Sequence, residues 1–263
     1  MKQRIMTAII FGIVYLGCLF IHPVPFSILV TAFAVIAFYE LLAMKGVKST
    51  EFHSIVGFIF VASLVLKPLW DNYIVSVSAL KMLVILLIFL FASIVFTKNR
   101  ITFDDIAYLF LSAFYIGFSF SLLTTARFHE LWLVLFIQII MWVTDSGAYF
   151  VGRAIGKRKL ASHISPNKTI EGSIGAVVVA LIVAMILYML VPSQTIHSFG
   201  GLLFITLIVS IFGQLGDLAE SAIKRHYDIK DSGKILPGHG GIFDRFDSLL
   251  FVLPILYVFH FLG

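Results

Sequence analysis

The stretch Leu80-Lys-Met-Leu-Val-Ile-Leu-Leu-Ile-Phe-Leu-Phe-Ala-Ser-Ile-Val95 decides what kind of protein this is. It carries one charge, Lys81, and approaches the roughly 20 apolar residues that cross a bilayer as a helix. The rest of the chain has the same character. Mean hydropathy over the 263 residues is +1.04, and 27 of them are Phe. Charged residues make up 13%, about half the share of about 25% typical of soluble domains. In hydrocarbon only helices or closed barrels satisfy the backbone, so an all-α polytopic integral membrane protein is expected.

Apolar runs separated by polar punctuation predict about nine transmembrane helices, over residues 5–21, 25–42, 54–69, 74–96, 105–125, 131–150, 173–191, 201–219 and 245–262. The first run follows Lys2 and Arg4 in the manner of a signal peptide. No small-x-small site follows, and His22-Pro23-Val24-Pro25 leads into another apolar run, so a retained helix is expected. The single cysteine, Cys18, lies in that first run and reads as a small apolar residue. No internal repeat or low-complexity linker divides the chain, so residues 1–263 are expected to form one membrane domain. Within it, residues 1–130 would be scaffold, with lipid-side or oligomer contacts, and residues 131–263 would carry the chemistry. A homodimer is compatible with such a helical protein.

Orientation follows from the basic residues. With the N-terminus in the cytoplasm and an odd number of crossings, all of the 19 Lys and Arg except Lys67, Lys81 and Arg127 fall in cytoplasmic segments. The C-terminus is then outside. The net charge of +5 is accounted for by topology and gives no case for a nucleic-acid partner.

Acidic residues within the apolar half are the next signal. Asp145 lies about 21 Å along the run from Leu131, and Asp217 about 24 Å along the run from Gly201, in a core about 30 Å thick. Asp244 and Asp247 begin the last span from the cytoplasmic side. Three separate helices thus bring carboxylates to a similar depth, where an ionisable group is costly unless paired, solvated or metal-bound. Asp217, Glu220, Ser221 and Lys224 are spaced i, i+3, i+4 and i+7, on one helical face. Hard oxygen donors of this kind suit Mg²⁺, whose usual surroundings are one or two carboxylates plus substrate phosphates. Structural alternatives remain open at this stage. Glu220–Lys224 also makes a helix-stabilising pair, Asp244 and Asp247 a helix cap, and Asp145 an interhelical hydrogen bond.

Two loops look suited to phosphate. In Ala161-Ser-His-Ile-Ser-Pro-Asn-Lys-Thr-Ile-Glu171, Ser165-Pro166 reads as a helix start whose free N–H groups, with Lys168, favour an anion. Gly172 and Gly175 beyond it suit close helix packing. In Lys234-Ile-Leu-Pro-Gly-His-Gly-Gly-Ile-Phe-Asp-Arg-Phe-Asp247, the turn through Gly238, Gly240 and Gly241 lets backbone N–H groups turn inward, with His239 as a further donor. Lys230, Lys234 and Arg245 flank it with positive charge. No Cys/His zinc spacing, Walker-type loop or GxSxG elbow is present. The residues alone point to a divalent metal and phosphate groups at the cytoplasmic interface.

The run from Ser221 through Lys224, Arg225, Lys230-Asp231-Ser-Gly233, Leu236-Pro-Gly-His-Gly-Gly241 and Asp244-Arg-Phe-Asp247 closely resembles the long signature of phosphatidate cytidylyltransferases, the CDP-diacylglycerol synthases. Ser165–Gly175 is similar to the family's second motif, with Asn167 where another Lys is common. Thr144–Tyr149 and Gly216–Ser221 are similar too, so the resemblance covers most of the C-terminal half. It implies a reaction in which CTP and phosphatidate give CDP-diacylglycerol and pyrophosphate with Mg²⁺, the number of cations being left open. Within that frame Asp217 and Asp244 would hold the metal, with Asp247 a third ligand or an orienting group. Lys224, Arg225, Lys230, Lys168 and the Ser165 helix start would neutralise phosphates. Ser221 stands on the Asp217 face. His239, Gly240 and Gly241, flanked by Arg245, would bind the triphosphate or leaving group. Asp145 would complete the metal site or anchor a basic residue. A CTP-dependent polyprenol kinase is the nearest rival and would release CDP. A cation-coupled transporter would spread its carboxylates through the midplane of two matched halves, a pattern not seen here.

Overall fold

The computed structural model describes residues 2–190 and 198–262. Among them are ten α-helices and one two-stranded antiparallel sheet. In chain order they are α1 (Lys2–Ile21), α2 (Pro23–Lys45), α3 (Phe52–Val65), α4 (Lys67–Tyr73), α5 (Ala79–Phe96), α6 (Phe103–His129), α7 (Leu131–Ile155), β1 (Lys159–Ala161), β2 (Ser165–Thr169), α8 (Ile170–Leu190), α9 (Phe199–His226) and α10 (Phe243–Val258).

Seven of these helices, α1, α2 and α5–α9, are long and apolar enough to cross a membrane, and the chain is a multi-pass membrane protein. α3 and α4 pass the same test together but are bent by 51° at their junction. Pro68, in the first turn of α4, lacks the N–H that would continue the ladder from α3. The pair occupies the third of the nine expected spans and makes an eighth crossing if counted as one. The ninth expected span is α10, whose 16 residues reach about 24 Å. The fourth begins at Ala79 rather than residue 74, because 75–78 are not helical. Residue 191, the expected end of the seventh, lies outside the described residues.

The contacts divide the chain into two compact units. One comprises Met1–Phe128 with Asp231–Arg245. Here α1 and α2 are joined through His22 alone, whose Nδ1 accepts from the Val24 N–H (3.3 Å). Phe11 and Tyr15 of α1 stack on Phe33 of α2. α2 closes at Gly46, where φ is +77° and the Val47 N–H donates to Leu42 O (2.9 Å). Carbonyls near helix ends lack helical partners, and polar side chains of α6 supply them. Thr124 Oγ1 donates to Val65 O (3.0 Å) and Arg127 Nε to Leu19 O (2.7 Å).

The other unit comprises His129–Lys230 with Phe246–Gly263. Its centre is the pairing of α7 with α8 through small residues. A Cβ on Gly147 would lie 3.1 Å from Ala176 Cα, and one on Gly172 would lie 2.8 Å from Ala148 O and 3.0 Å from Gly152 Cα. Small residues let helix backbones come this close in a membrane, as the positions of Gly172 and Gly175 lead one to expect. α9 meets α10 in the same way, Gly216 lying against Phe251, Ser248 and the Asp247 carbonyl.

Ser165-Pro166 does not start a helix. Ser165–Thr169 is the second strand of a hairpin, pairing Ala161 with Ser165 and Lys159 with Thr169. The helix begins at Ile170, and Thr169 Oγ1 accepts from the Gly172 N–H (3.2 Å), the bond expected of an N-terminal cap. Proline fits the first residues of a strand as well as the first turn of a helix, so the dipeptide alone does not choose. Glu171 closes the base of the hairpin, accepting from the N–H groups of Lys157 (3.0 Å) and Arg158 (3.1 Å) and from Arg158 Nε (3.1 Å).

The α7–α8 contact gives a direct test. Gly172→Ala adds a Cβ against backbone atoms and is expected to cost about 1–3 kcal/mol, read as a lower melting temperature in detergent. Gly12→Ala, with nothing within 4 Å, should cause no loss. Equal melting of the two variants would remove close backbone packing as the organising contact.

Candidate active site

Asp217 lies nine residues before the end of α9, whose last turn holds Lys224, Arg225 and His226. Asp145 lies ten residues before the end of α7, which leads into the basic hairpin. Both carboxylates therefore belong to the ends of their helices from which the charged loops emerge. α10 contributes Asp247 to the same unit.

Among the described residues, Asp217, Glu220 and Asp247 form a trio whose ligand oxygens all lie within 4.8 Å of one another. Glu220 is buried, and the other two are partly exposed. Lys168 Nζ sits 2.6 Å from Asp217 Oδ2, and Lys224 Nζ sits 2.6 Å from Glu220 Oε2. Ser221 Oγ approaches Asp217 Oδ1 at 3.4 Å, a long contact. Asp145 and Asp247 both feel the charge of Asp217. The three carboxylates of the trio face two ammonium groups, a formal surplus of one negative charge. Hard oxygen donors with that surplus are what a divalent cation requires.

A cavity of about 480 Å³ adjoins the trio. Asp145, Arg153, Asn167, Lys168, Gln214 and Asp217 give it polar walls, with small residues of α7 and α8 beneath. The hairpin thus brings Lys168 to the cavity wall beside Asp217.

The Gly-rich segment is organised differently. Asp244 Oδ2 accepts from the Ser232 N–H (2.8 Å), the Ser232 hydroxyl (2.9 Å) and the Gly241 N–H (2.8 Å). The His239 N–H donates to Leu236 O (2.8 Å), and the Leu236 N–H donates to Gly240 O (3.0 Å). Gly240 takes φ +83°, where a side chain would be strained and would collide with Asp244 Oδ2. Gly240 and Gly241 serve close approach to carboxylates, and the N–H of Gly241 is directed at Asp244 rather than outward.

The sequence-chosen residues therefore separate. Asp145, Lys168, Asp217, Ser221, Lys224 and Asp247 come together around the trio and its cavity. Ser165 pairs in the hairpin, Arg225 Nε reaches Ile164 O (3.4 Å) at its tip, and Lys230 is exposed. His239, Gly240, Gly241 and Asp244 shape the Gly-rich segment, from which Arg245 projects exposed. Glu40 escaped the sequence reading altogether. It accepts three hydrogen bonds from that segment, and its signal was a lone carboxylate inside the apolar α2.

The family model described as "Cytidylyltransferase family" matches residues 2–262. A protein named phosphatidate cytidylyltransferase from Bacillus subtilis (strain 168) is 43% identical over 261 residues, covering 98% of this chain and 96% of its own. Proteins of the same name from Staphylococcus aureus (strain COL) and Staphylococcus haemolyticus (strain JCSC1435) are 43% and 40% identical, each covering 98% of both chains. The chain belongs to the cytidylyltransferase family and is a nucleotidyltransferase.

The trio makes a prediction of its own. Asp217→Asn and Asp247→Asn should each weaken Mn²⁺ binding to the purified protein by at least the roughly tenfold that loss of even an outer partner costs a metal site. Asp104→Asn, on an exposed residue of α6, should leave it unchanged. Equal affinity in all three would dismiss the trio as a metal site.

Proposed function

We propose that this nucleotidyltransferase is a phosphatidate cytidylyltransferase, joining CTP to phosphatidate to give CDP-diacylglycerol and pyrophosphate, with Mg²⁺, at the cytoplasmic face of the membrane. The observation that carries the reading is the trio of carboxylates flanked by Lys168, beside a polar-walled cavity, in a multi-pass member of the cytidylyltransferase family. The names of the relatives supply the substrate.

Asp217, Glu220 and Asp247 would hold the cation, which when bound supplies Lewis-acid stabilisation of charge on phosphate oxygens. Asp244 is proposed to serve through its own segment, where its Oδ2 holds Ser232 and Gly241. A lipid phosphate oxygen attacks the α-phosphorus of CTP, and the bond to the α–β bridging oxygen breaks, releasing pyrophosphate. The protein contributes position and charge rather than covalent help. Lys168 borders the cavity and has three donors, so it can engage a phosphate oxygen while keeping Asp217. Asp145, across the same cavity, orients that ammonium by its charge. Arg225, Lys230 and His239 are proposed to meet the nucleotide's phosphates.

Two experiments test this reading. Purified protein given labelled CTP and phosphatidate should form CDP-diacylglycerol and pyrophosphate with Mg²⁺ and neither with EDTA. Asp217→Asn should slow turnover by about a hundredfold or more. Release of CDP would mean a lipid kinase, and full activity in Asp217→Asn would end its metal role. For orientation, a Cys18→Ser chain carrying Ser162→Cys in the exposed hairpin turn should react with an impermeant maleimide in inverted vesicles and not in intact cells. The opposite labelling would reverse the topology.

A further inference from the structure

Glu40 is 2% exposed, within the apolar helix Pro23–Lys45. A carboxylate in that setting is costly unless its oxygens meet donors. They do, and every partner named for it lies about two hundred residues away. Oε1 accepts from the Ile242 N–H (2.9 Å). Oε2 accepts from the Phe243 N–H (2.9 Å) and from the Ser232 hydroxyl (2.9 Å).

Phe243 is the first residue of α10, so these N–H groups are among those a helix start leaves without internal partners. The positive end of the helix dipole favours an anion at the same point. A carboxylate from α2 thus does for α10 what a capping residue normally does from within its own chain segment. The neighbouring glycines fit around it. A Cβ on Gly233 would lie 2.6 Å from Glu40 Oε1, and one on Gly241 would lie 2.4 Å from both carboxylate oxygens. Ser232 and Gly241 are also the two residues bound by Asp244 Oδ2. The segment between them, which carries Lys234 and His239, is therefore fastened at both ends by two carboxylates.

We propose that Glu40 is a positioning residue of the transferase. It sets the Ser232–Phe243 segment and the first turn of α10, and acts on the reaction only through them. An apolar side chain of similar volume would leave the two N–H groups and the hydroxyl without their acceptor. Three donors held at fixed distances are what a carboxylate adds. The inference rests on the proposed CTP–phosphatidate reaction for its catalytic readout.

The test compares Glu40→Gln, Glu40→Asp and Ser232→Ala with the unsubstituted full chain in detergent. Measured quantities are kcat and KM for CTP, melting temperature, and amide exchange at Ile242 and Phe243. Glu40→Gln places an amide donor against N–H donors. Its kcat/KM for CTP should fall about 10- to 100-fold per folded molecule, with faster exchange at the two amides and unchanged protection in α7 and α8. Glu40→Asp, shorter by one methylene but still an acceptor, should recover part of both. Unchanged kcat/KM in Glu40→Gln, or a loss that only follows the unfolded fraction, overturns the proposal. If that variant does not accumulate, unaltered kinetics in both Glu40→Asp and Ser232→Ala overturn it, and a fall in kcat/KM with faster exchange in both upholds it. Should the unsubstituted chain make no CDP-diacylglycerol, the substrate reading fails separately. Amide exchange then decides alone: protection lost in Glu40→Gln upholds the hold on the segment, and protection kept overturns it.

Discussion

A carboxylate carried into a bundle of apolar helices has to find donors or a cation there, because bulk water does not reach it. This chain meets that constraint in two ways, and much of its organisation follows from the difference. Glu40 is satisfied by neutral donors, two backbone N–H groups and a hydroxyl, in fixed geometry. Asp217, Glu220 and Asp247 face one another and two lysines, so their repulsion is only partly offset. The first arrangement is complete within the protein and suits a fastening. The second keeps an appetite for positive charge.

Such a cluster can form only if the backbones that carry it come close. Gly147, Gly152 and Gly172 bring α7 and α8 together, and Gly216 brings α9 to α10 beside Asp247. The short hairpin then drops Lys168 onto Asp217 just before α8 begins. Small residues thus decide the chemistry indirectly, by setting the separation across which aspartate and lysine side chains must reach.

Much of this could be read from residue spacing. The i, i+3, i+4, i+7 face from Asp217 to Lys224 needs only a helix, and α9 is one. Asp145 was visible as a charge in an apolar run for the same reason. What escaped has no local period. The bonds from Glu40 to Ile242 and Phe243 span 202 and 203 residues, so no pattern around either partner announces the other. Ser165-Pro166 failed for a different reason, since a strand and a helix start accept the same dipeptide. Gly240 and Gly241 near His239 were read as openings for phosphate, and the close approach of Asp244 to the first and of Glu40 to the second is a further reason for their lack of side chains.

The two lysines of the trio are not equivalent, and their origins explain why. Lys224 is tied to Glu220 one turn away on its own helix, and Glu220 is the buried member. Withdrawing that ammonium would strand a buried charge, an expensive step. Lys168 comes from a separate hairpin, touches the partly exposed Asp217 and lines the cavity. Its ion pair is cheaper to rearrange, because solvent already screens part of it. One lysine therefore stabilises the carboxylates where they stand, and the other borders the cavity in a pair that can rearrange.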